Sequence, residues 1–193
     1  AGRPQLRVVV PLAARQLAEP GLVAEVRAAL ARHAVPPAWL GLEIAERAVV
    51  ADVPRAVAVL GELRGLGVGL VISEFGTGYA SLAYLSKLSV DCLQIDRALL
   101  HGLDSDGERT MVASAIVALG HHLGLAVAAD GVDSADQLAL LAAARCDLVQ
   151  GDWLGAPIDA SAIAATPIAA NPIDREVIDP ARRTGRMPCI TAA

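Results

Sequence analysis

Three short apolar runs in this chain each deliver an acid. Val68 to Ile72 leads into Ser73-Glu74-Phe75-Gly76-Thr77-Gly78, Cys92 to Ile95 ends in Asp96, and Leu125 to Ala129 ends in Asp130. Strands that end in carboxylates, with helical stretches between them, gather acids at one rim of a parallel sheet, where α/β folds place their active sites. A carboxylate cluster of this kind usually serves a metal, because hard divalent cations take oxygen donors.

The elements that must position these acids repeat as strand and helix. Leu6 to Val10 reads as a buried strand, followed by a helix over Leu22 to Arg32 with Val23, Val26, Ala29 and Leu30 at helical spacing, ended by Pro36 and Pro37. Leu40 to Ile44 is the next strand; Asp52 then caps a helix entered through Pro54, with Val57, Leu60 and Leu63 on one face and Gly65 and Gly67 closing it. After the Val68 to Ile72 strand come a short helix over Tyr79 to Leu85, the Cys92 strand, and a longer helix from Glu108 to Leu123 carrying Met111, Ala115, Ile116 and Leu119. Ser134 with Gln137 forms a capping box for a helix to about Ala144, and Asp147 to Gln150 is a final strand. Six parallel strands alternating with helices fit either an eight-stranded barrel or an open doubly wound sheet. Residues 1–165 form one domain on this reading, and 166–193 lack a clean period and are expected to be an irregular or partly mobile extension.

At 193 residues and 54% hydrophobic content the chain can bury a full core, and with only 3% aromatics that core must be aliphatic. A net charge of −5 and a pI near 5.3 argue against nucleic acid as a partner, since phosphate-backbone binding relies on clustered Lys and Arg. No apolar run reaches the length of a membrane span and the opening residues do not form a signal peptide, so the expected location is cytoplasmic. Cys92, Cys146 and Cys189 lack the paired spacing of a zinc site and read as free thiols.

The chain resembles the EAL domains, which hydrolyse the bacterial messenger cyclic di-GMP with two divalent metals. The matching stretches are Leu42 to Glu46, Ser73 to Leu82, Leu93 to Arg97, Ala129 to Asp133 and Gln150-Gly151, which with their spacers cover roughly residues 6 to 165. The resemblance implies a TIM-type (β/α) barrel. It also implies that the family's opening strands, with the Glu-Ala-Leu signature and a nearby phosphate-contacting Arg, are not matched: either a longer protein supplies them, or the barrel is incomplete at its N-terminal end and a partner covers its edge. By the same resemblance, Glu43 and Asp96 stand at metal-ligand positions, Glu46 anchors the glycine-rich loop, and Gln150 is a late site residue. Glu74, Phe75, Gly76, Thr77, Gly78 and Asp133 belong to the nucleotide-binding loops, with Asp130 and Gln94 at catalytic remnant positions.

Against the family pattern the departures are heavy. An asparagine ligand becomes Pro11, with no side-chain oxygen. The first aspartate of Asp-Asp-Phe-Gly becomes Ser73 and the second Glu74; the lysine of Leu-Lys-Ile-Asp becomes Gln94; and two glutamates shorten to Asp130 and Asp133. A carboxylate displaced by about 1 Å can cost on the order of 100-fold in rate.

Each residue also has a plainer role open to it. Glu43 and Glu46 could be surface acids at a strand end, Asp96 a helix cap or ion-pair partner of Arg97, and Asp130 and Asp133 caps of the following turn. The glycines serve the backbone turn whatever the site does. His121 and His122 read as a solvent-facing pair at a helix C-terminus; Trp39 and Trp153 read as core or rim packing, with Trp153 near enough to the site mouth to stack on a base.

Three functions follow. The leading one is a degenerate, catalytically inactive EAL domain acting as a cyclic di-GMP sensor or a protein-docking module, with no metal cofactor expected. The second is a slow metal-dependent phosphodiesterase using Mg²⁺ or Mn²⁺, and the third a structural homodimerisation module that binds no nucleotide.

Overall fold

Runs of valine, isoleucine and leucine alternate with capped helices, and in the computed structural model, which describes residues 7–76, 82–103, 107–155 and 190–191, the runs become strands of one parallel sheet. β1 (Val8–Leu12), β2 (Leu40–Ala45), β3 (Gly69–Phe75), β4 (Cys92–Ile95), β5 (Ala126–Asp130) and β6 (Leu148–Gln150) lie side by side in chain order and curl into a half-barrel. A two-residue strand, β7 (Ile190–Thr191), pairs in parallel along the outer edge of β1, with Val8 opposite Ile190 and Val9 opposite Thr191. The sequence assigns no regular element to that part of the chain. The remainder of the 166–193 extension lies outside the described residues.

The helices run α1 (Ala14–Leu17), α2 (Leu22–Arg32), α3 (Glu46–Ala51), α4 (Val53–Gly65), α5 (Arg97–Leu100), α6 (Glu108–His122) and α7 (Ala135–Ala143). α2 takes the bounds its periodicity predicts. The Asp52 carboxylate accepts from the Arg55 N–H at 3.1 Å, and Leu60 and Leu63 bury the inner face of α4. The Ser134 cap works less symmetrically than a capping box requires. Its hydroxyl accepts from the Gln137 N–H, but the Gln137 side chain accepts from Asp133 N–H at 2.6 Å, one residue before the cap, and donates to the Leu100 carbonyl at 2.9 Å. Gln137 thereby ties α7 to the end of α5.

Strand alternation sorts the side chains into two layers. Leu42, Ile44, Leu70, Ile72, Leu93, Ile95 and Val127 turn outward beneath the helices and join Leu60, Leu63, Ile116, Val117 and Leu141 in the main core. Full burial of each large aliphatic contributes about 1.5–3 kcal/mol. The opposite face, toward the inside of the half-barrel, is a thinner cluster of Val9, Val71 and Cys92 with Ala126 and Ala128 packed against it. Polar site residues on this face sit two residues further along the same strands.

The sequence ends the third strand at Ile72 and starts a turn at Ser73; the structure carries β3 through to Phe75. Pairing on both sides explains the extension, since Ser73 lies opposite Ala45 of β2 and Phe75 opposite Ile95 of β4. The register against β4 shifts between Ile72 and Phe75, and Glu74 takes a left-handed φ of 57° at that bulge.

At the amino ends of the strands two aspartates do the same job. Asp91 accepts from the Leu70 N–H at 3.0 Å and from Arg64 at 2.8 Å; Asp147 accepts from the Val127 N–H at 2.8 Å and pairs with His121 at 2.8 Å. In each case the side chain that meets the aspartate comes from the last turn of the preceding long helix. His121 is therefore a partly buried hydrogen-bond partner of Asp147, not a solvent-facing residue. Trp39 and Trp153 are half exposed, so neither packs in the core. Buried Cys92 and Cys146 are free thiols, and burial pushes Cys146 up to about 12; Cys189 lies outside the described residues.

Candidate functional site

The carboxyl ends of β2 to β6 form the rim to which the sequence assigns chemistry. Glu46, the first residue of α3, is buried at 4% exposure although it is an acid. Its Oε1 accepts from the Tyr84 hydroxyl at 2.7 Å and its Oε2 from the Gly76 N–H at 3.3 Å. One carboxylate thus fixes the start of the glycine-rich turn to the short helical turn Leu82–Lys87 that follows it. Burial, reinforced by the bond to Glu46, drives the Tyr84 hydroxyl well above its ordinary pKa, so it stays a donor. Gly76 needs its missing side chain: φ is +95°, and a Cβ would lie 2.6 Å from Leu99 and 2.9 Å from Ile116. Thr77 and Gly78 lie outside the described residues.

Phe75 turns into the main core. Glu74 meets Arg47 of α3, so its carboxylate is engaged on the outer side of the bulge. Ser73 and Gln94, both buried, occupy the inner face of β3 and β4. Gln94 is 6% exposed and its Oε1 is a buried oxygen without a hydrogen-bond partner among the described residues.

Glu43 stands half buried on the inner face of β2, opposite Pro11 of β1 in the register, so the proline occupies a ladder position beside the acid. Asp96 caps α5, its carboxylate accepting from the Ala98 N–H at 2.7 Å. Asp130 closes β5 opposite Gln150, whose carbonyl accepts from the Gly131 and Val132 N–H groups at 2.9 Å each. Asp133 is exposed. Burial raises the Asp130 pKa above the ordinary carboxylate range; Arg97 and the Gly131 N–H pull it back, and Asp96 and Asp133 push it up. Asp96, Asp130, Asp133 and Arg97 therefore share one electrostatic neighbourhood. Among the described residues, no three His, Cys, Asp or Glu side chains converge as a metal-holding group.

Gly151 lets the β6 end approach β5, since a Cβ there would fall 2.2 Å from the Val132 backbone. Two participants escape the sequence reading: Tyr84 and Arg47. Tyr84, set amid apolar residues, carries only a weak signal for a buried hydroxyl seeking an acceptor, and Arg47 depends on the bulge at Glu74.

The EAL domain pattern matches residues 1–157. The chain belongs to the EAL family. Over 165 residues it is 39% identical to the bifunctional diguanylate cyclase/cyclic di-GMP phosphodiesterase MucR of Pseudomonas aeruginosa, a stretch covering 86% of this chain and 24% of that protein. The chain thus spans about a quarter of the length of that curated relative. A solved structure of the MucR phosphodiesterase in complex with c-di-GMP superposes with a TM-score of 0.79 at 40% identity, over 81% of this chain and 70% of the other. The FimX EAL domain from Pseudomonas aeruginosa bound to c-di-GMP superposes with a TM-score of 0.73 at 26% identity, over 78% and 62%. No helix among the described residues of this EAL chain is long and apolar enough to cross a membrane.

Proposed function

We propose that this EAL domain binds cyclic di-GMP without hydrolysing it and acts as a cytoplasmic sensor of that nucleotide. The observation that carries the reading is the inner rim itself: Pro11 stands beside Glu43, Ser73 occupies the end of β3, and Gln94 leaves a buried amide oxygen unpaired at the centre. Two-metal hydrolysis needs enough oxygen donors to hold both ions near the phosphate. Pro11 contributes none, Ser73 contributes a neutral hydroxyl, and Glu74 is engaged by Arg47. These residues do not fit a resident pair of Mg²⁺ or Mn²⁺ ions. Both solved relatives named above carry c-di-GMP, which supports the choice of nucleotide.

Calorimetric titration with cyclic di-GMP in Mg²⁺ or Mn²⁺, followed by chromatography of the nucleotide, tests this. Saturable heat with intact cyclic nucleotide is expected; accumulation of the linear dinucleotide overturns the reading.

A second role, docking to another copy of the domain, is favoured by α6. Its outer face carries Met111 at 66% and Val112 at 38% exposure, continued by exposed Ala115 and Ala118. An apolar helix stripe of this kind fits a homodimer contact. Equilibrium ultracentrifugation of the chain and of Met111→Glu checks it: a dimer that dissociates in the variant is expected, and a monomeric wild type rules it out.

A further inference from the structure

The two sides of the sheet end differently. On one side β6 closes it with three residues, Leu148–Gln150, and so short a strand is a poor template for another. On the other side β1 is five residues long, and its alternate residues Val8 and Val10 are 50% and 44% exposed. Val10 lies opposite Leu42, which is buried in the main core, so the helix layer that closes over β2 leaves the outer face of β1 partly bare. Trp39, the residue before the Leu40 that lies opposite Val8, is likewise 50% exposed. An apolar strand edge of this kind is a ready template for a further strand.

Two features restrict it. Pro11 has no N–H to give to a strand on either side, so a ladder that starts at Val8 loses a donor further along. β7 takes the part before the proline: Ile190 pairs with Val8 and Thr191 with Val9, in parallel, and the pairing ends two residues short of Pro11. Both residues of β7 are β-branched, the type that suits a strand. Two ladder positions hold weakly, because each backbone hydrogen bond gives back most of its strength when water competes for the same groups. β7 thus sits on a strand-accepting edge through a contact that can open.

We propose that the segment at Ile190–Thr191 is a reversible cover of the β1 edge, and that the edge, once β7 leaves, pairs with the same edge of a second copy of this chain. The backbone of Val8–Val10 is the site, and Val8 and Val10 supply its apolar flank. Pro11 bounds the site on the carboxyl side, which confines any pairing to the amino half of β1. Neither step involves the nucleotide.

Amide hydrogen exchange of the full chain, read residue by residue by NMR, tests the cover, and sedimentation equilibrium tests the edge. Two variants remove β7: Ile190→Pro, which deletes an N–H from the strand, and a chain lacking residues 190–193. In both, exchange within Val8–Val10 should accelerate about tenfold, the effect of one lost ladder hydrogen bond. Amides of β3 and β4 should keep their wild-type rates. In a Met111→Glu background, which removes any contact through α6, both variants should self-associate where the covered chain is monomeric. Adding Val10→Lys, a charge on the edge, should return them to monomers. Unchanged exchange at Val8–Val10 overturns the cover, and acceleration that extends to β3 and β4 makes β7 part of the global fold and overturns its reversibility. Accelerated exchange in chains that stay monomeric, or association that Val10→Lys leaves intact, overturns the pairing of the edge with a second copy.

Discussion

The two ends of the half-barrel treat their acids differently. At the amino end, Asp91 and Asp147 each accept from a backbone N–H of the neighbouring strand and pair with a side chain at the end of the preceding helix, Arg64 and His121 respectively. Those carboxylates are consumed in holding the βα units together. At the carboxyl end Glu46 is consumed in the same way, by Tyr84 and Gly76, whereas Glu43, Asp130 and Asp133 stand at strand ends and corners with Gln94 unpaired below them. Fully partnered acids stabilise a fold; acids and acceptors left at a concave rim are available to a ligand.

Substitutions can break or sharpen that contrast. The largest effect is expected at Glu46→Ala, which strands a buried tyrosine hydroxyl and a backbone N–H together; chemical denaturation should register a loss of about 3 kcal/mol. An unchanged midpoint would remove Glu46 from the structural group. Asp147→Ala and Asp91→Ala should each lose about 2 kcal/mol by the same measurement, because each leaves a strand N–H unpaired. The rim acids behave otherwise: Glu43→Gln is expected to stay within about 0.5 kcal/mol of wild type, as surface changes usually do, while cyclic di-GMP affinity falls. Loss of stability comparable to Asp147→Ala would make Glu43 a structural acid.

The smallest effect carries a sign. Burial raises the Asp130 pKa in the folded state, so the fold binds the proton more tightly than the unfolded chain does. Stability should therefore fall as pH rises from the ordinary carboxylate pKa to the raised one, and stay lower at neutral pH. Asp130→Asn should abolish that descent and melt slightly higher than wild type at neutral pH. A variant melting lower at pH 7 would show Asp130 to be engaged in a stabilising contact.

Much of the architecture was legible because it is written locally. The α2 bounds follow from apolar spacing and flanking prolines, and the α4 start from Asp52 and Pro54. The bulge at Glu74 was not, since it arises from the registers of two neighbouring strands. α3 was missed for a similar reason: Glu46 to Ala51 follows a strand without a separating turn, and its start is held by a buried acid whose partner comes from Tyr84. On α6, apolar residues surround the helix, so spacing alone does not tell that Met111 faces out while Ile116 faces in. In the site, residue types at the rim could be read one by one, but that Glu74 is engaged by Arg47, while Gln94 Oε1 finds no partner among the described residues, is a property of the folded neighbourhood.

The number of ions this rim holds beside a bound nucleotide separates a sensor from a hydrolase. Anomalous diffraction from crystals grown with Mn²⁺ and cyclic di-GMP counts them directly. An uncleaved nucleotide without a pair of peaks beside it is the predicted result; two peaks about 4 Å apart, the spacing of bimetallic hydrolases, would contradict it.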